Sequence, residues 1–150
     1  MESIIVMRVY LDNCCYNRPF DEQVQLRIRL ETEAKLHVQD LMHLRVIEYA
    51  WSSVLDYAIG NSPYQEQIED ILRWKNWATV NVALNHVLIG RGEQIMTSGV
   101  KQLDALHLAC AEAAECDWFL TTDKGILRKI ATLGALRIAN PIDFVLEVQA

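Results

Sequence analysis

The sequence predicts an α/β fold with a mainly parallel central sheet. Three observations carry that expectation. Short apolar, β-branched runs alternate with segments of helical period from one end to the other. Two of the runs, "VYLD" and "FLTTD", end in aspartate, a residue that strand interiors disfavour and that strand ends tolerate. No repeat, low-complexity tract or Pro/Gly/Ser linker interrupts the 150 residues, so one domain over 1–150 is expected.

Each element has a local reason. "IIVMRVYLD", residues 4–12, is a β-branched apolar run and reads as a buried strand ending in Asp12. "NRPFDEQ" is a turn. The segment "QLRIRLETEAKLHVQDLMH" repeats apolar residues at Leu26, Leu30, Ala34, Val38 and Leu41, the spacing of a long amphipathic helix. "LRVIEYA" is a second strand, after which Ser52 or Ser53 can cap a short helix ending near Gly60–Asn61. "SPYQEQIEDILRWKNW" opens on Ser-Pro, a helix-start signal. "ATVNVAL" is a brief third strand, and "LNHVLIGRGEQIMTSG" a helix with a break expected at "GRG". "KQLDALHLACAEAAECD" is a helix with Leu103, Leu106, His107, Cys110 and Ala114 along one side. "WFLTTD" is a fourth strand, "KGILRKIATLG" a helix, "LRIAN" a short strand, and "PIDFVLEV" a last helix with Pro141 in its first turn.

Composition removes several classes of function. Half the residues are apolar, enough for a core, yet no apolar run approaches the roughly 18 residues that span a bilayer. The N-terminus lacks the pattern of a secretory leader, so a cytoplasmic protein with no membrane partner is expected. The net charge of −6 argues against coating nucleic acid by bulk electrostatics, but not against an enzyme that acts on it. Cys14, Cys15, Cys110 and Cys116 lack disulfide or zinc spacing and read as small apolar residues in a reducing compartment.

In open α/β sheets chemistry gathers at the carboxyl ends of strands, where the strand order switches. Asp12 and Asp123 end two strands, and Asp104 opens the helix "DALHLACAEAA", where capping is its simplest structural explanation. Together the three make an oxygen-rich pocket suited to Mg²⁺ or Mn²⁺, hard cations that prefer carboxylate and water. Without a cation such a cluster stores like-charge repulsion.

At these residues the chain resembles the PIN domain family, which includes VapC-like toxins and RNA-processing nucleases. The matching segments are "YLDNCCYNRPFD", "VIEYAWSSVLDYA", "GVKQLDALHLACAEAAECDWFLTTDKGIL" and "IANPIDFV", in order over nearly the whole chain. The third segment is the most specific. The resemblance implies a three-layer α/β/α fold and metal-dependent endoribonuclease action on single-stranded RNA. It implies Mg²⁺ or Mn²⁺ as cofactor, Asp12, Asp104 and Asp123 as metal-binding and catalytic residues, a possible cognate antitoxin as partner, and a homodimer. Asn13, Thr121, Thr122 and Lys124 are candidate substrate contacts; Thr121 or Thr122 is expected to steady the Asp123 carboxylate or to touch a substrate phosphate. Arg18 and Lys101 are further candidates for phosphate binding.

One family ligand is missing. The family pattern reads "DYE" where this chain reads "DYA", which puts Ala58 in place of a glutamate, and Cys14 replaces a small polar residue two places after the first aspartate. Asp56 lies about 200° around the helix from residue 58 and Glu48 falls in the preceding strand, so neither is a convincing substitute. The expectation is an attenuated or unusual site. The alternative is a catalytically inactive PIN-like domain that binds RNA or protein. A phospho-receiver domain ranks third, because Asp56 falls inside a helix. His107, one turn from Asp104, reads as a packed histidine hydrogen-bonded beside the site, and the four tryptophans read as core or dimer contacts.

Overall fold

Arg8–Leu11 (β1) lies near the middle of the sheet, and Val9, Tyr10 and Leu11 are completely buried. The computed structural model describes residues 7–148, so the first part of the strand expected over 4–12, and the leader reading of the N-terminus, fall outside the described residues. β1 pairs in parallel with Glu48–Ser52 (β2) on one side and with Trp118–Leu120 (β4) on the other. Val80–Val82 (β3) adds to β2 in parallel, and Leu136–Ala139 (β6) to β4. Thr132–Leu133 (β5) closes the far edge antiparallel to β6. The order is β3-β2-β1-β4-β6-β5.

The chain steps outward from β1 to β2 to β3, then returns across β1 to β4. Parallel crossovers are right-handed, so reversing the direction of travel puts the connecting helices on opposite faces of the sheet. The outward path carries Asn13–Asn17 (α1), Leu26–His43 (α2), Ser53–Gly60 (α3) and Gln65–Leu72 (α4). The return path carries His86–Met96 (α5) and Gln102–Ala113 (α6), which pack on each other. Lys124–Lys129 (α7) follows β4, and Pro141–Val148 (α8) ends the chain against α2. Helices therefore cover a mixed, mostly parallel sheet in three layers. The reversal between β1 and β4 is the switch point.

Several elements differ from the sequence reading for identifiable reasons. The apolar stripe of α2 overhangs the core: Ala34, Val38 and Met42 are buried, whereas Leu26 and Leu30 are exposed. A strict i, i+4 row rotates by about 40° per step, which carries Leu26 to the side opposite Met42. Glu31 lies in the buried face instead, fully sequestered, with Arg18 Nε at 3.0 Å, Arg27 Nε at 3.2 Å and the Asn140 amide donating to it. β2 begins at Glu48, because Arg45 adopts a left-handed φ of 59° and turns the preceding residues out of strand geometry. α5 runs through "GRG" without a break. Gly92 is buried, and a Cβ there would stand 3.0 Å from Leu106 Cδ2, so the glycine permits the close approach of α6. The helix expected over "KGILRKIATLG" ends at Lys129, and Thr132–Leu133 turns back through Gly134 (φ 60°) as β5.

Glu31 joins α2, the turn at Arg18–Phe20 and the residue before α8 through one buried carboxylate. Glu31→Ala should cost about 2–4 kcal/mol, because it leaves two guanidinium groups and a buried amide without their acceptor. A urea midpoint shift at unchanged slope measures this; a shift below about 0.5 kcal/mol, the range of an ordinary surface substitution, would contradict the assignment.

Candidate active site

The site starts where β1 stops. The Asp12 amide donates to Leu120 O at 2.9 Å, extending the β1/β4 ladder by one residue. Its carboxylate is nearly sealed from solvent. Oδ1 accepts from the Asn13 amide at 2.8 Å, at the start of α1. Oδ2 accepts from Thr121 Oγ1 at 2.9 Å and from Cys14 Sγ at 3.4 Å. Thr121 also accepts from the Asp123 amide at 3.1 Å, so one buried hydroxyl links the two strand ends.

Asp123 is the N-cap of α7. Its Oδ1 accepts from Gly125 N at 2.7 Å and Ile126 N at 3.3 Å. A Cβ at residue 125 would stand 3.0 Å from that oxygen, so glycine lets the cap close. Oδ2 has no hydrogen-bond partner among the described residues. Capping, the simplest structural explanation for Asp104, does not hold, whereas Asp12 and Asp123 cap α1 and α7. Asp104 is the third residue of α6, behind Lys101 at the cap position, and is half-buried with no hydrogen bond among the described residues.

Asp104 registers the other two. Its carboxyl is pushed up to about 6, first by burial, then by the negative charges of Asp12 and Asp123, against the pull of Lys101 and Lys129. Three carboxylates therefore share one field at the carboxyl edge of the sheet, beside the switch point. As placed, no three His, Cys, Asp or Glu side chains among the described residues stand in a metal-holding group.

No protein-family model matches the sequence, and no curated protein matches it. Solved structures similar to this chain include the following two. FitAcB from Neisseria gonorrhoeae is 13% identical, with 89% of this chain and 97% of that one covered at a TM-score of 0.57. VapBC2 from Rickettsia felis, bound to a DNA fragment from its promoter, is 16% identical, with 89% and 98% covered at a TM-score of 0.57. The chain has a PIN/VapC-like fold. At these identities the likeness is one of architecture.

Within this PIN/VapC-like fold the remaining candidates separate. Thr121 is fully buried and steadies Asp12, not the Asp123 carboxylate, and Thr122 is nearly buried with its amide on Cys14 Sγ at 3.3 Å. Neither side chain is presented to an incoming substrate. Asn13 is half-buried at the start of α1, and Lys124 is exposed beside Asp123. Arg18 is committed to Glu31 and to Asp21 at 2.6 Å, which removes it as a phosphate ligand. Lys129 holds Gly99 O at 2.7 Å and faces Asp104; it was missed because its helix position alone does not reveal which strand end it approaches.

Ala58 is half-buried on α3, a helix that packs against α1 and α6. Asp56 accepts from Trp51 Nε1 at 2.9 Å and pairs with Lys75 at 3.0 Å. Glu48 pairs with Arg8 at 2.9 Å, at the amino edge of the sheet. Neither stands in for the missing glutamate. Behind Asp12, Tyr10 OH lies 2.7 Å from both Ser52 Oγ and His107 Nδ1, and His107 Nε2 faces Asp12 Oδ1 at 3.7 Å. Burial lowers the His107 pKa despite the Asp12 charge.

The raised Asp104 carboxyl has a definite pH signature. A folded-state value near 6 against an ordinary 3.8 means that the folded protein holds the proton more tightly. The contribution of Asp104 to stability is thus most favourable below about pH 4, falls between about 4 and 6, and levels off above. Asp104→Asn should raise the Tm at pH 7.5 by about 2–4 °C, a relief on the order of 1 kcal/mol after discounting for partial exposure. At pH 4 the gain should vanish. Thermal melts at the two pH values test this, and equal gains at both would refute the shared field.

Proposed function

We propose that this protein is a PIN-type endoribonuclease that cleaves single-stranded RNA with Mg²⁺ or Mn²⁺. It acts in the cytoplasm as the toxin of a toxin–antitoxin pair. The observation that carries this reading is that Asp12 and Asp123 follow the carboxyl ends of the adjacent strands β1 and β4 and are linked through Thr121, with Asp104 near enough to feel both charges. Four free thiols, three of them buried, suit a reducing compartment.

The donor chemistry fits a hard divalent cation. Asp104 and the Oδ2 of Asp123 have no competing hydrogen bonds among the described residues, and the charge repulsion at Asp104 is relieved by positive charge. Asp12, Asp104 and Asp123 would hold the cation, with water among its ligands because the carboxylates do not form a ready-made cage. When bound, it would acidify water and neutralise phosphate charge. The chain's own residues do the rest. Thr121 and the Asn13 amide orient Asp12, while Lys101 and Lys129 attract the substrate phosphates, joined by Lys124 and Asn13 at the rim. The absent glutamate at Ala58 leaves one carboxylate fewer, which attenuates the site.

Tyr57, Ile89, Met96 and Leu103 are exposed along adjoining grooves of α3, α5 and α6. We assign this apolar face to a homodimer, with the antitoxin as a further partner. The second reading is an inactive PIN-like domain that binds RNA or protein; Ala58 and the open spacing of the carboxylates favour it.

Cleavage of a labelled single-stranded RNA with and without Mn²⁺ decides between the two. The wild type should cleave weakly, Asp104→Asn should abolish cleavage, and Ala58→Glu should raise it by about 10-fold, the scale of restoring a lost ligand or its support. Metal binding without turnover in both wild type and Ala58→Glu would select the inactive reading.

A further inference from the structure

We infer that His107 is a positioning residue for the Asp12 carboxylate, fixed in its Nε2–H tautomer by a buried relay from Ser52 through Tyr10. The inference rests on the proposed reading of Asp12 as a cation ligand. It starts from an imbalance. His107 is completely buried, yet its Nε2 has no hydrogen-bond partner. That nitrogen is aimed at Asp12 Oδ1, 3.7 Å away.

The other side of the ring decides where the proton sits. Nδ1 lies 2.7 Å from Tyr10 OH, which lies 2.7 Å from Ser52 Oγ. Ser52 Oγ already accepts from the Leu55 amide at 3.1 Å as the N-cap of α3, so its own proton is available to Tyr10. Tyr10 then donates to a bare Nδ1, and the ring proton is on Nε2. Running the relay backwards would put a lone pair on Nε2 facing a buried carboxylate, which is repulsive. The forward arrangement directs an N–H dipole at Oδ1 instead.

Asp12 needs that dipole. The Asn13 amide covers Oδ1 from one direction, and Thr121 and Cys14 cover Oδ2. His107 approaches Oδ1 from the α6 side, from the same helix that carries Asp104. It therefore limits rotation of the Asp12 carboxylate beside Asp104. At 3.7 Å the N–H is too far for a full hydrogen bond, so it acts as an oriented dipole and not as a rigid tether. Outer groups that orient ligating carboxylates influence metal affinity about as strongly as some ligands do.

The test uses two independent readouts on the full chain. Nitrogen-15 NMR of the imidazole ring at pH 7 should show a protonated Nε2 and a bare, hydrogen-bonded Nδ1. Tyr10→Phe should shift the Nδ1 resonance and mix the tautomers while the fold is retained. Mn²⁺ titration by calorimetry should show affinity falling about 10-fold or more in His107→Leu. His107→Gln, whose amide presents an N–H in a similar place, should recover most of it. A protonated Nδ1, a doubly protonated ring, or equal Mn²⁺ affinity in all three proteins would overturn the inference. If the wild type takes up no Mn²⁺, the positioning role falls with the ligand reading. The two failures are distinguishable, because the ring would still show its Nε2–H signature.

Discussion

The constraint on which this structure turns is electrostatic: three carboxylates sharing one partly desolvated sheet edge. The protein meets it by giving each a different environment. Asp12 is buried and surrounded by donors, from the Asn13 amide to the Thr121 hydroxyl. Asp123 is exposed and satisfied by the two backbone amides it caps. Asp104 has neither remedy, and burial first, then the charges of Asp12 and Asp123, raise its pKa. Because the three elements are set by sheet order and helix starts, the repulsion cannot be relaxed by moving one side chain alone.

Much of the fold was legible in the sequence, because α/β alternation is a long-range pattern that many residues report together. The strands ending at Asp12 and before Asp123, the Ser52 cap and the helix at Pro141 follow from local chemistry. The misreadings arose where a residue answers to a distant partner. Glu31 sits in an otherwise readable helix, but its burial depends on Arg18 and Asn140, which no periodicity connects. Gly92 looked like a helix break because the approach of Leu106 is invisible along the chain.

The site was legible in its residue types and less so in their roles. Capping was the structural alternative for Asp104, yet Lys101 holds the cap position of α6 while Asp12 and Asp123 cap α1 and α7, since cap geometry depends on where the backbone turns. Thr121 looked like an ordinary strand residue or a substrate contact, and is a buried strut between two strand ends. The Tyr10–His107 pairing joins residues 97 positions apart and has no sequence signature. Ala58 was legible as a substitution, and the structure adds that Asp56 and Glu48 are both committed elsewhere.

The edges of the sheet also limit how copies of this protein can meet. One edge is the three-residue β3, and the other is the two-residue β5, folded back antiparallel at Gly134. Such short edges offer few unpaired amides and carbonyls to an incoming strand. A second chain has little backbone template on which to continue the sheet. Self-association would then rest on helix side chains, where single substitutions can tune it without touching the strand ends that lead into Asp12 and Asp123.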